Sequence, residues 1–301
     1  MRKMVGVLFG PPGRGSFNEA GQTAMNRVGA TIHWIAAADV AGRITALDQL
    51  CAAGADLIIA HGGQGDAPVA AVASRYPNMA FAITQGAHLA GNVACYEVLQ
   101  EQSAFLAGVL AGAMTATGVV AHLSGERVRP GLKGRAAYAQ GVYRAAPNVR
   151  LLTTFCGNQH DPALAARVVT AQAAAGADIV FAMIDGGRTG AIDACRARHI
   201  AQIGNVLDWT VRAPDVFVAS ALADSGWGIE RAAQTFANGT FAFGQKQIVG
   251  LDQPAIVDLV FGERVPAGVR QRVGELAEQL KAGAITLDED YHGPEFDFEL
   301  R

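Results

Sequence analysis

A small set of residues in this chain carries groups of the kinds that a slot for a flat, hydrogen-bonding heterocycle would need. Phe17, Tyr138 and Trp209 offer rings for stacking. Asn18 and Gln85 offer amides that donate and accept, Asp208 an acceptor-only carboxylate, and Arg188 a cation. Gly63 and Gly187 lie in the Gly-rich runs Gly62-Gly63-Gln64-Gly65 and Gly186-Gly187-Arg188-Thr189-Gly190. Each side chain has a plainer alternative. The three rings also suit a core or a cleft wall, and Asp208 also suits the cap of a following turn. Other chemistries lack their residues. There is no H-E-x-x-H, G-x-S-x-G or P-loop, and the histidines, His33 to His292, are scattered without ligand spacing. No metal, no cofactor and no catalytic activity are expected. Gly13-Arg14-Gly15-Ser16-Phe17-Asn18, with Asp39 beyond it, approaches a dinucleotide fingerprint but departs from it in the intervening prolines and the sixth position.

The first of these residues follow an apolar run, Met4 to Phe9, that reads as a buried strand. Ser16 as N-cap and Glu19 three residues on give the capping-box spacing for the next helix. In an open parallel sheet this strand-to-helix edge is where ligands bind. Strand and helix then alternate. Short continuous apolar runs at Val5–Phe9, Thr31–Ala36, Leu57–Ala60, Met79–Thr84 and Val93–Val98 suit a parallel sheet covered on both faces. The pattern restarts at Val119–Leu123. Ala52-Ala53-Gly54-Ala55-Asp56-Leu57-Ile58-Ile59-Ala60 is echoed by Ala174-Ala175-Gly176-Ala177-Asp178-Ile179-Val180-Phe181-Ala182, and a Gly-rich loop follows each copy. The expected class is α/β, with two doubly wound lobes. Later elements, Val216–Leu222 to Val269–Ala282, are too few for a third domain and finish the two lobes. The expected division is 1–117 with 223–250 and 118–222 with 251–301, joined by a multi-crossing hinge.

Composition narrows the partners. The net charge of −3 implies no broad basic field for nucleic acid or anionic lipid. Arg127, Arg129, Lys133 and Arg135 form a local basic cluster that reads as a solvated loop. Four separated cysteines, Cys51, Cys95, Cys156 and Cys195, read as buried inert thiols. Ser103 to Leu123 lacks Asp, Glu, Lys and Arg and contains Gly108-x-x-x-Gly112. Its small residues and the Thr117-Gly118 break favour close packing in a core over a membrane span. The chain opens directly into a strand, which fits either a cytoplasmic protein or a mature form whose leader has been removed.

Several short motifs, weak singly and specific as a set, resemble the basic membrane protein family of ABC-transporter substrate-binding proteins, the purine nucleoside receptor type. They are Ser16-Phe17-Asn18, Arg75-Tyr76-Pro77-Asn78 with Phe81-Ala82-Ile83, Glu101-Gln102-Ser103-Ala104-Phe105-Leu106-Ala107-Gly108, Gly141 with Pro147, Asp161-Pro162, Gly176-Ala177-Asp178 and Ile203-Gly204. The resemblance implies the type I periplasmic-binding-protein fold, closing on a purine or pyrimidine base or nucleoside for delivery to a membrane permease. It implies Phe17 and Tyr138 as stacking rings and Asn18 and Asp208 as polar anchors. Contact with the membrane would run through the permease or a lipid anchor lost with a leader. The location would be the periplasm or cell envelope, or the cytoplasm if Met1 is the native start. A cytoplasmic ligand sensor is the rival reading, a nucleoside-processing enzyme a weaker one. The chain departs from the family pattern at Gln85 (an Asp there), Ala223 (a Lys), Arg14 (an acidic residue) and Gly63 (a Phe). These departures favour a free base over its riboside. If the hinge is as expected, saturating ligand lowers the radius of gyration in small-angle scattering. An unchanged value counts against it unless the unliganded form is already closed.

Overall fold

The computed structural model describes residues 3–12, 15–37 and 39–299. In chain order the elements are β1 (Met4–Phe9), α1 (Ser16–Arg27), β2 (Thr31–Ile35), α2 (Val40–Ala52), β3 (Leu57–His61), α3 (Asp66–Val72), β4 (Ala80–Thr84), β5 (Val93–Val98), α4 (Gln100–Met114), β6 (Val119–Ser124), α5 (Arg129–Ala145) and β7 (Arg150–Phe155). They continue with α6 (Pro162–Ala174), β8 (Ile179–Met183), α7 (Arg188–Arg198), β9 (Ala201–Val206), β10 (Phe217–Ala223), α8 (Gly226–Ala237), β11 (Lys246–Val249), β12 (Val257–Phe261) and α9 (Ala267–Lys281).

Two compact units result: one holds the residues through Val98 and Asp224–Val249, the other Leu99–Ala223 and the chain from Gly250. The first unit's sheet has the order β11-β5-β4-β3-β1-β2, parallel throughout. The second has β12-β10-β9-β8-β6-β7, parallel except where β12 runs antiparallel to β10. Both sheets reverse direction of growth at their first strand, so β1 beside β3 and β6 beside β8 are switch points, the places where such sheets bind ligands at their carboxyl edge. This is the type I periplasmic-binding-protein fold.

The strand sequences account for the layers. In the first unit Val5, Val7 and Phe9 join the core that holds Leu47 of α2 and Val69 of α3. Leu8, Ile59 and Ala82 instead join the core that holds Met25 of α1 and Ile229 of α8. Gly6 lets α1 sit close, because a methyl there would overlap Met25.

Two expectations are corrected. Residues 99–117 were placed in the first lobe, but α4 packs on α5, β10, β12 and α9 and goes with the second unit. The reason is a backbone contact: Gly108 meets the Tyr138 carbonyl of α5, and Gly141 of α5 meets the Phe105 carbonyl of α4. The basic cluster is not a solvated loop. Lys133 is buried against Glu101 and lies 3.5 Å from Glu289, while Arg127 and Arg135 both hold Glu295. Those pairings, and the Phe296 amide donating to the Thr153 carbonyl at 2.7 Å, fasten the residues after α9 along the second unit.

Gly108→Ala forces a methyl into backbone and should destabilise the protein by about 1–3 kcal/mol in urea unfolding. Gly274→Ala, on an exposed position of α9 with open space around it, should stabilise by up to about 1 kcal/mol. Equal effects at the two sites would remove the α4–α5 contact as the organising feature.

Candidate functional site

The first unit builds its rim at β1 and β3. Helix α1 starts at Ser16 with Gly15 as N-cap and no side-chain cap, so the Ser16–Glu19 capping box is not formed. Gly13 and Arg14, and with them the fingerprint and the Arg14 departure, lie outside the described residues. The Phe17 ring, half-buried, stacks on the ring of His61, the last residue of β3, at 4.1 Å between centroids and 21° between planes. His61 Nε2 lies 3.0 Å from the Phe17 carbonyl. A carbonyl only accepts, so Nε2 carries the hydrogen. Nδ1 is then the acceptor for the Thr84 hydroxyl at 2.9 Å. Thr84 Oγ1 in turn accepts from the Gly62 amide at 3.0 Å. Burial lowers His61 to about 4, so the imidazole is neutral at physiological pH. Gly62 has φ 109°, and a methyl there would meet Phe17 Cε1 at 3.2 Å. Gly63 opens the single 3-10 turn Gly63–Gly65 that follows.

Two expected ligand contacts in this unit bind the protein's own backbone. Asn18 is buried and donates through Nδ2 to the Phe9 carbonyl at 3.0 Å, tying α1 to the end of β1. Gln85 donates to the Val98 carbonyl at 2.9 Å and accepts from the Val98 amide at 2.6 Å, joining the ends of β4 and β5. Both ends of its amide are thereby committed. Gln85, just after β4, adopts φ 57°, and Val206, the last residue of β9 in the other sheet, φ 69°. A β-branched residue in that region is strained, and such strain clusters at functional edges.

The second unit's rim lies at β6 and β8. Gly187 caps α7 and donates its amide to the Gln159 carbonyl at 2.9 Å. Arg188 is buried; it donates to the carbonyls of Ala182 and Ile184 and to the Asn205 side chain, and its guanidinium lies 4.8 Å from the Trp209 ring centroid. Burial lowers it to about 9, which leaves it charged at neutral pH. Trp209 is half-buried, with Arg212 also against its ring at 5.1 Å and its amide donating to Ser220 Oγ at 2.8 Å. Gly204 gives the indole its seat, since a methyl there would overlap it. Asp208 Oδ1 accepts from the Thr210 amide at 2.9 Å and hydroxyl at 2.6 Å, the turn cap that was its plainer alternative. Tyr138 is a correction of position. It is fully buried on α5, with Phe181 at 5.0 Å and His122 at 6.0 Å between ring centroids, and burial pushes its phenol above the ordinary range. As placed it is a core ring.

The structure thus brings Phe17 to Gly62 in one unit, with Gly63 the next residue along the chain, and Arg188 to Trp209 beside Gly187 in the other. Sequence reasoning missed His61, whose one signal was its place between an apolar strand and Gly62-Gly63. It also missed the buried Asp185, with His160 at 3.8 Å. Among the described residues no cluster of His, Cys, Asp and Glu can hold a metal, and no helix is long and apolar enough to cross a membrane.

A family model described as ABC transporter substrate-binding protein PnrA-like matches residues 16–277. A transcriptional activator protein, med, of Bacillus subtilis is 23% identical over 82% of this chain and 77% of its own length. A purine-binding protein of Brucella abortus is 24% identical over 72% of this chain and 61% of its own. An ABC transporter system solute-binding protein of Aeropyrum pernix superposes with a TM-score of 0.86 at 21% identity, over 96% of this chain and 94% of that one.

His61 and His122, both buried and neutral, predict acid lability. Their ordinary value is 6.5; in the fold they stand at about 4 and about 3. Between the two values the unfolded chain binds more protons, so stability is full above pH 6.5 and falls as pH drops toward 4. For His61 the loss is on the order of 3 kcal/mol. Melting midpoints from pH 7 to pH 4 should decline through that window and be flat above it.

Proposed function

Because the chain belongs to the PnrA-like substrate-binding proteins of ABC transporters, we propose that it captures a purine or pyrimidine base, or its nucleoside, by stacking on Phe17 and delivers it to a membrane permease. The observation that carries this reading is the Phe17 ring, part-exposed at the β1–β3 switch point and backed by a neutral imidazole at 4.1 Å. Stacking platforms of this kind recognise the π-face that every nucleobase has. The purine-binding relative from Brucella abortus supports the same ligand class.

Free base is the preferred form. A ribose diol is commonly held by a carboxylate and a cation together. Ala223 stands where the family has its lysine and is buried, and Asp208 is engaged by Thr210. A riboside would therefore lack a charge-assisted pair, the stronger class of hydrogen bond. Gln85, an amide where the family has its Asp, adds nothing to this preference, since Val98 holds it.

A second reading, a ligand sensor on the same fold, draws on the Bacillus subtilis activator. Cell fractionation separates the two: transport needs the protein outside the cytoplasmic membrane, sensing needs it inside.

Mass spectrometry of small molecules released by denaturing the purified protein should reveal a nucleobase-like compound. In calorimetry with guanine, xanthine, uracil and their ribosides, Phe17→Ala should weaken binding by about five- to 150-fold with the fold intact. Undiminished affinity would return Phe17 to core packing, and a riboside bound more tightly than its own base would end the preference for bases.

A further inference from the structure

His61 has more contacts with Phe17 than a core histidine needs. Its ring parallels the Phe17 ring, and its Nε2–H holds the Phe17 carbonyl at 3.0 Å, so one residue fixes both the plane of that ring and the backbone that carries it. The imidazole is fixed in turn. Thr84 engages its other nitrogen at 2.9 Å and is itself held by the Gly62 amide at 3.0 Å. On α1, Gly21 lies so close to the imidazole that a methyl there would overlap it. Helix α1 and strand β4 therefore hold the imidazole in one tautomer.

We propose that His61 is the positioning residue of the ligand site, setting the plane of the Phe17 ring on which an uncharged flat heterocycle stacks. This rests on the reading of Phe17 under Proposed function. It adds that recognition depends on the neutral imidazole, and so on pH. A second proton on Nδ1 would remove the acceptor for the Thr84 hydroxyl and put a cation beneath the stacked rings. Burial lowers the proton affinity of His61, and the bond to the Phe17 carbonyl raises it by less. The charged groups on the elements packed around β3 engage other partners. Arg27 of α1 pairs with Glu230 of α8, Arg231 of α8 reaches Gln247, and Asp66 of α3 accepts from the Ala87 and His88 amides. Glu19 also lies on α1, in its first turn. Affinity should thus be level from pH 8 to about 5.5 and fall toward pH 4, with His61 at about 4.

The test is calorimetry with guanine, xanthine, uracil and their ribosides on the full chain, from pH 8 to 4, well below the melting temperature. His61→Gln keeps a donor and loses the ring, and His61→Phe keeps a ring and loses both hydrogen bonds. Each should weaken binding by about ten-fold and level the acid limb. Thr84→Val leaves the imidazole and its bond to the Phe17 carbonyl in place but removes the donor to Nδ1; it should weaken binding less and move the acid limb to higher pH. If the His61 variants fail to fold, Thr84→Val carries the test alone. Binding that Phe17→Ala abolishes, but that the His61 and Thr84 variants leave unchanged in strength and pH profile, overturns this inference and spares the ligand reading. A wild-type protein that binds none of the probes overturns both.

Discussion

The close approach of α4 and α5 is the constraint from which the second unit follows. Glycine at 108, 112 and 141 lets the two helices touch backbone to backbone, and no side chain can replace it there. That contact explains why a long stretch without charge is not a membrane segment. Its small residues face another helix rather than lipid. The same contact decides which unit α4 joins. It also sets Lys133 of α5 against Glu101 of α4, a buried pair whose attraction is offset by the cost of taking both charges out of water.

The two sheets solve one topological problem with different chemistry. Each reverses at its first strand, and each reversal leaves loops and a helix N-terminus at the carboxyl edge. In the first unit this edge carries an aromatic ring on an uncharged imidazole. In the second it carries a guanidinium against an indole, with Asn205 and two carbonyls holding the cation. The first edge suits a surface without charge; the second keeps a cation in a setting that lowers its proton affinity yet leaves it charged. A family resemblance at the level of single motifs does not distinguish these two settings.

Much of the fold was legible because parallel strands buried on both faces must be continuous apolar runs, and these were. Strand β12 was not legible: Asp258 interrupts its run, and an antiparallel edge strand needs apolar residues on one face only. The membership of α4 was hidden because Gly108-x-x-x-Gly112 announces close packing without naming the partner. The position of Phe17 at the rim of the first sheet was legible from its place after the first strand. Asn18 and Gln85 were read correctly for what their groups can do and not for what they bond, while Asp208 took the turn cap that was its plainer reading. Gln85 and Val98 meet across a strand and its loop, and nothing in either residue type encodes that pairing. Tyr138 matches Phe17 in helix position, yet it turns into the core beside Phe181.

The discontinuity of the first unit bears on synthesis. Its helix α8 and strand β11 leave the ribosome only after every strand of the second unit except β12. Until then the nascent chain lacks Ile229, Ala232 and Phe241 to cover Leu8, Ile59 and Ala82. Strand β5 likewise stays an unpaired sheet edge, a template for pairing with another chain. A growing polypeptide with that exposure cannot finish its domains in the order in which it makes them. It must be shielded, by a chaperone or by speed, through the interval in which one sheet waits for its last strand.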